Sequence, residues 1–477
     1  MVYDVIIAGA GVVGGMLARE LSRYKLNICI LEKENDVACG ASSANSGIVH
    51  GGYDPEPGTL KAELNTIAVS KLYATADALN VPYIKNGSMV CAFSEQENET
   101  IQMLYQRGLE NKISDLEVLS GDEARVIEPQ LSKEITSVLH VKNAGIICPY
   151  QLTVAAVGNA MDNGAELKLN FEIASIEKAD GEFVVKSTDG ECVTGKYLIN
   201  CAGAGADRIA KLANDDSFTI IPRAGEYMLM DKTEGTRVRH TIFQVPTVEG
   251  KGILVSPTVD GNLLLGPTAA VVKDGDSTET TAAGLEVVQK LALKSVPGVN
   301  LRSVITSFSG VRSSVKGGDF IIGFSEKTEN LLNVAAIDSP GLTCCVAIAE
   351  YAVNIMKNAG IELVEKEGFN PCRQDVHAFH KMNDEEKNAY IQQNPEFGKI
   401  VCRCEGITEG EILQAIRMNP SATDVDGVKR RTRSGMGRCQ GGFCGPSVMR
   451  LIARELGILK EQVTKSGKGS EIVIGKR

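Results

Sequence analysis

The chain has 477 residues, too many for one ordinary domain, and its 43% hydrophobic and 23% charged residues are the mix of a folded protein with substantial cores. Fifty basic residues stand against sixty acidic ones, a net charge of −10 with no long basic run, which argues against a nucleic-acid binder relying on a positive footprint. No stretch approaches the roughly 20 uninterrupted apolar residues that span a membrane. The opening Met-Val-Tyr-Asp-Val-Ile-Ile also lacks the charged head and cleavage site of a secretory signal, so a cytoplasmic protein is expected.

Residues 3–8 predict a buried parallel strand, followed by Gly9-Ala10-Gly11-Val12-Val13-Gly14, a helical pattern over 16–21, and a second apolar run, 27–31, that closes on Glu32 and Lys33. Each part suits a dinucleotide. Gly9 allows the tight turn, Gly11 lets a pyrophosphate approach the backbone, and Gly14 lets helix and strand pack closely. The helix N-terminus, at Val12 and Val13, offers N–H groups to phosphates. Glu32, eighteen residues beyond Gly14, is placed to accept hydrogen bonds from ribose hydroxyls.

The small-residue run Gly40-Ala-Ser-Ser-Ala-Asn-Ser-Gly47 follows, with Ser42, Ser43, Asn45, Ser46 and Gly47 suited to a backbone lying against a flavin and its phosphates. Two later strand–glycine junctions repeat the theme. One runs over 196–207 and turns at Ala202 and Gly203; the other runs over 331–341 and precedes a helix over 343–356. Three such junctions fit one extended FAD better than a single NAD.

As an ordered set, these segments resemble the D-amino-acid oxidase-like FAD-dependent oxidoreductases, which include glycerol-3-phosphate and L-2-hydroxyglutarate dehydrogenases; the likeness covers about residues 1–365. The resemblance implies an α/β fold. A Rossmann-like FAD-binding domain would come from about 1–90, 145–215 and 318–365, and an antiparallel β substrate domain from about 216–317 with part of 50–140. It also implies that Gly341, Leu342 and Thr343 point a helix N-terminus at the pyrimidine end of the flavin, where positive dipole stabilises the anion formed on reduction.

Strand character over 222–230, 252–266 and 303–312, with a hairpin at Asp260-Gly261-Asn262, supports a substrate sheet. Arg312 lies where relatives put an arginine for a substrate carboxylate or phosphate, a task its fork of donors matches; standing alone it reads as a surface charge. His50, in Ser46-Gly-Ile-Val-His-Gly-Gly-Tyr53, resembles a histidine of the 2-hydroxyglutarate enzymes. It could take the substrate's hydroxyl proton, or serve only as a partner of the flavin. Lys61 and Tyr53 are weaker candidates for holding an anion, and His140, His240, His377 and His380 read as structural.

Residues 366–398 turn polar and read as a linker with one helix. Cys402, Cys404, Cys439 and Cys444 follow as C-x-C, thirty-four residues, then C-x4-C, a set able to hold a [2Fe–2S] cluster or, less well at so tight a spacing, zinc. The nine other cysteines read as small buried hydrophobes. With Arg430-Arg431-Thr432-Arg433-Ser-Gly-Met-Gly-Arg-Cys-Gln-Gly, the four thiols resemble the bacterioferritin-associated-ferredoxin-like [2Fe–2S] domain found fused to flavin subunits of anaerobic glycerol-3-phosphate dehydrogenase. A small, mainly α domain is expected over 399–465, with a tail over 466–477 and with Lys429, Arg430, Arg431, Arg433 and Arg438 offsetting the cluster's charge.

A flavin takes two electrons as hydride and such a cluster passes one at a time, so the fusion points to a dehydrogenase whose electrons leave for a partner. The expected reaction is oxidation of a small anionic hydroxy substrate, sn-glycerol 3-phosphate to dihydroxyacetone phosphate, by hydride transfer to flavin N5. L-2-hydroxyglutarate, another 2-hydroxy acid or an amino acid is the alternative, and a pure electron relay is a reading of another class. The implied partner is an electron-accepting subunit, a flavoprotein or a membrane-anchored quinone-linked one, which would place the chain in the cytoplasm or at the membrane periphery.

Overall fold

The computed structural model describes residues 2–246, 252–376 and 378–475. His377, residues 247–251 of the expected substrate sheet and the last two residues of the tail lie outside them.

The first sheet is a parallel ladder in the order Glu166–Lys168, Ile28–Leu31, Val2–Ala8, Cys192–Asn200, Leu331–Ala335. Ile28–Leu31 is buried throughout and Val2–Ala8 nearly so, which is why both read as continuous apolar runs rather than as alternating ones. Helices Val12–Leu21, Pro149–Asp162 and Gly341–Asn358 cover one face through Leu17, Ala156 and Ile348. Beyond Cys192–Asn200 the same sheet continues as an antiparallel meander with Glu182–Ser187 and Ile173–Ala179, and Phe171 and Phe183 pack in the core on its other face.

The second sheet is built on the long pairing of Ile221–Met230 with Val304–Ser314. It continues through Leu263–Gly266, Leu254–Pro257 and Thr241–Gln244 to Ser88–Ala92, Ser137–Val141 and Leu116–Ser120. Its neighbours are antiparallel except at one junction, where Thr241–Gln244 runs parallel to Ser88–Ala92. That exception to the antiparallel expectation arises where two distant chain segments meet. Helix Ala282–Ser295 packs Val288 and Ala292 with Met228 and Leu265 in one core of this sheet. The expected hairpin at Asp260-Gly261-Asn262 joins Leu254–Pro257 to Leu263–Gly266.

Near the C-terminus, helices Glu409–Arg417, Val425–Thr432 and Gly445–Leu456 enclose Ile412, Val428, Val448 and Ile452 beside a two-stranded ladder of Ile400–Cys402 and Ile407–Thr408. Thr408 and Glu411 form a reciprocal capping box at the first of these helices. The polar segment 366–398 holds two helices, Ala378–Lys381 and Asp384–Gln393, where one was expected. It is also no loose tether: Arg19 donates to the Pro371 carbonyl at 3.0 Å, and the Arg373 N–H donates to the Ala78 carbonyl at 3.0 Å.

The basic residues expected to offset cluster charge also make ion pairs of their own. Arg430 and Arg431 both donate to the Asp36 carboxylate, at 2.7–3.1 Å, and join the third unit to the loop that follows the second parallel strand. Arg433 pairs with Asp260 and Glu405, Arg438 with Asp231, and Lys429 with Asp426. Burial alone would push the Asp36 carboxyl up, but the Arg431 and Arg430 guanidinium groups outweigh it and hold it below the usual carboxylate range. The side chains of Asp36 and Arg431 are 4% and 1% exposed, so removing one partner strands a buried charge. Asp36→Asn should therefore cost about 3–5 kcal/mol, read as early urea unfolding and faster amide exchange over residues 399–465. A carboxyl depressed by folding lends stability that is complete above its unfolded value, about 4, and lost as pH falls through the lower folded value. Acid should loosen the wild-type interface over that window, and loosen the Asp36→Asn variant less, because only the remaining carboxyls such as Asp231, held down by Arg438, still titrate there.

Candidate active site

The C-terminal ends of the parallel strands face the second sheet across a cavity of about 1800 Å³. Gly9 turns out of the first strand at φ +106°, which an L side chain rarely adopts, and a Cβ at Gly14 would lie 2.0 Å from the Gly9 carbonyl oxygen. The sequence therefore needs glycine at both places to seat helix Val12–Leu21 on its strand. Gly9, Gly11, Val12, Val13, Glu32, Lys33, Ser42, Asn45, Ser46, Gly47, Ala202, Gly203, Gly341 and Leu342 all line the cavity.

Their side chains divide between the cavity and the loop itself. Glu32 accepts from the Ala10 N–H at 2.7 Å and from the Glu34 N–H at 3.0 Å; burial pushes its carboxyl up and these donors pull against the shift. Ser42 accepts from the Val12 N–H at 2.9 Å, while Asn45 closes its own loop by accepting from the Gly47 N–H at 2.8 Å. Lys33 pairs with Asp276 at 2.7 Å across the cavity rim. Of the expected cofactor residues, Gly14, Ser43 and Thr343 do not line the cavity. Ser43 donates to the Gly40 carbonyl, and buried Thr343 accepts from the His50 N–H at 2.9 Å, tying the last flavin-side helix to the loop. An extended dinucleotide fits this surface: the first helix presents an N-terminus whose N-cap, Gly11, makes no side-chain cap, and Glu32 stands at the end of the adjacent strand.

At the far end the cavity is lined by His50, Arg312, Lys61 and Ser339. The His50 ring sits with Nε2 3.2 Å from the Ser339 hydroxyl, and Asn65 donates to the His50 carbonyl at 3.0 Å. Arg312 donates to the Thr268 carbonyl at 3.2 Å. The Lys61 ammonium is ion-paired with Asp338, and Tyr53 is buried in a core away from the cavity, so neither of the weaker candidates offers the anion site expected of it. His240 is held by Glu128 at 3.0 Å, with His140 against it edge to face, and His380 is paired with Glu411 at 2.7 Å.

Arg223 is the residue that sequence reasoning missed. It stands directly opposite Arg312 in the strand ladder and lines the same cavity. Its buried Nε has no hydrogen-bond partner among the described residues. Directly opposed side chains lie about 5 Å apart at Cβ and leave a sheet on the same face, so both arginines border the same cavity. No local signal marks Arg223, because its role depends on strand register.

The four thiols gather as two pairs across the two segments rather than within them. Cys404 and Cys439 stand 3.6 Å apart at sulfur, and the Cys402 and Cys444 thiols interact with each other. Two pairs suit a two-iron cluster, with two thiolates to each iron. The Cys404 thiol is exposed, Cys439 half-buried, and Cys402 and Cys444 buried. Of the nine other cysteines, six are buried, Cys39 is half-buried, and Cys192 and Cys372 are exposed, against the expectation for those two.

Comparison with known proteins places these features together. Residues 4–355 match the model of the FAD dependent oxidoreductases, and residues 400–454 match that of the BFD-like [2Fe-2S] binding domain. A glycerol 3-phosphate dehydrogenase of Caloramator mitchellensis is 43% identical over 99% of this chain and 98% of its own. The FAD-bound, dithionite-reduced L-alpha-glycerophosphate oxidase of Mycoplasma pneumoniae superposes with a TM-score of 0.75 at 32% identity, over 78% of this chain and 98% of that one. The human mitochondrial L-2-hydroxyglutarate dehydrogenase is 26% identical over 73% of this chain and 87% of its own.

Gly310 brings the second sheet against the 40–47 loop, where an added Cβ would stand 1.9 Å from the Ala44 carbonyl oxygen. Gly310→Val should force the second sheet off the 40–47 loop, and the purified variant should show a several-fold lower ratio of flavin to protein absorbance than wild type.

Proposed function

The chain belongs to the FAD-dependent oxidoreductases and carries a [2Fe–2S]-binding domain at its C-terminal end, and from that premise we propose that it oxidises sn-glycerol 3-phosphate to dihydroxyacetone phosphate. The observation that carries this reading is the opposed pair Arg223 and Arg312 on the cavity wall, one of them with an unpartnered buried Nε. Two guanidinium forks suit a phosphate dianion, which presents three acceptor oxygens and neutralises both charges. The similarity to glycerol 3-phosphate enzymes over nearly the whole chain supports the same substrate.

Bound along the cavity, FAD would take the hydride from the carbinol carbon, and the cluster would carry the electrons onward singly. The residues of the chain do the rest. Arg223 and Arg312 fix the phosphate and thereby direct the carbinol towards His50. The imidazole Nε2, held beside the Ser339 hydroxyl, takes the hydroxyl proton as the ketone forms. The N-terminus of helix Gly341–Asn358 has no acid in its first turn and opens on the cavity at Gly341 and Leu342, so its positive end stabilises negative charge developing there. Lys61 and Asp338, as a neutralised pair, line the cavity without adding net charge.

A second reading, L-2-hydroxyglutarate, draws on the Leu342-Thr-Cys-Cys sequence at the last helix and on the 26% identity to the human enzyme. The electrons are proposed to leave for an accepting protein, a flavoprotein or a quinone-linked membrane subunit. Among the described residues no helix is long and apolar enough to cross a membrane.

Anaerobic addition of glycerol 3-phosphate should bleach the flavin band, and L-2-hydroxyglutarate should not; the reverse pattern would overturn the assignment. Arg223→Ala and Arg312→Ala should each raise KM for glycerol 3-phosphate by about 10²-fold, the scale of a lost charged contact, while retaining FAD. An unchanged KM in either variant would remove that arginine from the site.

A further inference from the structure

We propose that the solvent-facing edge of the thiol centre, built around Phe443, is a docking surface for an acidic protein that carries electrons one at a time. With Cys402 and Cys444 buried and Cys404 exposed, the centre has one open side. Phe443 stands between Cys439 and Cys444 and is 87% exposed, although the domain has an apolar core available next to it. An aromatic ring left in water beside an electron-transfer centre is a contact awaiting a partner, since aromatic anchors dominate protein interfaces.

The rim around it is positive on a chain whose net charge is −10. Arg403 lies between two of the thiols, and Arg450 lies on helix Gly445–Leu456, whose N-cap is Cys444; both are exposed and without an acid partner among the described residues. Arg438 and Arg454 are exposed too but are paired with Asp231 and with Glu409 and Glu455, so the unpaired positive charge of the rim is that of Arg403 and Arg450. Over residues 399–406 and 433–450 the only acid is Glu405, whose side chain is 4% exposed and held by Arg433 and Lys232. Such a rim steers an acidic partner and repels a basic one.

The proposal rests on the function given above only for the direction of electron flow. Oxidation of one secondary alcohol to a ketone releases two electrons and two protons. Two oxidised carriers are each reduced by one electron in turn, and the protons pass to solvent.

The test is calorimetric titration of the oxidised holoprotein, without substrate, with an oxidised acidic plant-type [2Fe–2S] ferredoxin. Binding should weaken as salt rises. It should fall by about tenfold or more in Phe443→Ser and in Arg450→Glu, with both visible absorption bands unchanged. If Phe443→Ser lost the cluster band, Arg450→Glu would decide alone. No binding, unchanged affinity in the variants, tighter binding of basic cytochrome c, or preferential binding to phosphatidylserine vesicles would each overturn the proposal. Because substrate is absent, a wrong substrate assignment would leave the result unaffected.

Discussion

The arrangement depends on one buried carboxylate. Asp36 accepts hydrogen bonds from both Arg430 and Arg431, and it belongs to the segment that also places Glu32, Ser42 and Gly47 on the cavity wall. The loop lying along the dinucleotide site is thus the one gripped by the C-terminal helices. A second fastening, Arg433 with Asp260, Asn262 and the Tyr150 hydroxyl, ties the same helices to the hairpin of the second sheet. The sulfur pairs are therefore fixed against both halves of the larger unit. Electron exchange falls steeply with separation, so rigid docking is what joining two carriers in one chain accomplishes.

The substrate end follows the opposite logic. Arg223 and Arg312 are held opposite each other by strand pairing, in a sheet whose core is buried behind them. The backbone pairing thus fixes where the two side chains can reach, which is what the proposed phosphate site requires. His50 is anchored through its backbone to Thr343 and Asn65, so its ring is positioned by the same contact that joins the last helix to the loop.

What was legible in the sequence is what is local. The Gly9–Glu32 unit announces itself because strand, turn and helix follow one another within one stretch, and the four thiols because cysteine among glycines has few structural uses. The fold class followed from the family resemblance that such units, taken in order, carry. Register and docking were not legible. Arg223 acquires meaning only from the strand that pairs with it nearly ninety residues later, Asp36 only from two arginines near the other end of the chain. The basic run at 429–438, read as counter-charge for a cluster, turned out to be mostly interface, because opposite charges on a separate unit cannot be seen in one dimension. The polar segment 366–398 misled for a related reason: its backbone hydrogen-bonds to the flavin-side helices, an interaction that composition does not record.

The central claim is that substrate electrons reach the thiol-held iron within the same polypeptide. Electron paramagnetic resonance of the anaerobic holoprotein, frozen after addition of glycerol 3-phosphate alone, tests it most directly. The account predicts a reduced [2Fe–2S] signal that grows with added substrate. A bleached flavin beside a cluster that stays silent, yet yields its signal to dithionite, would contradict it.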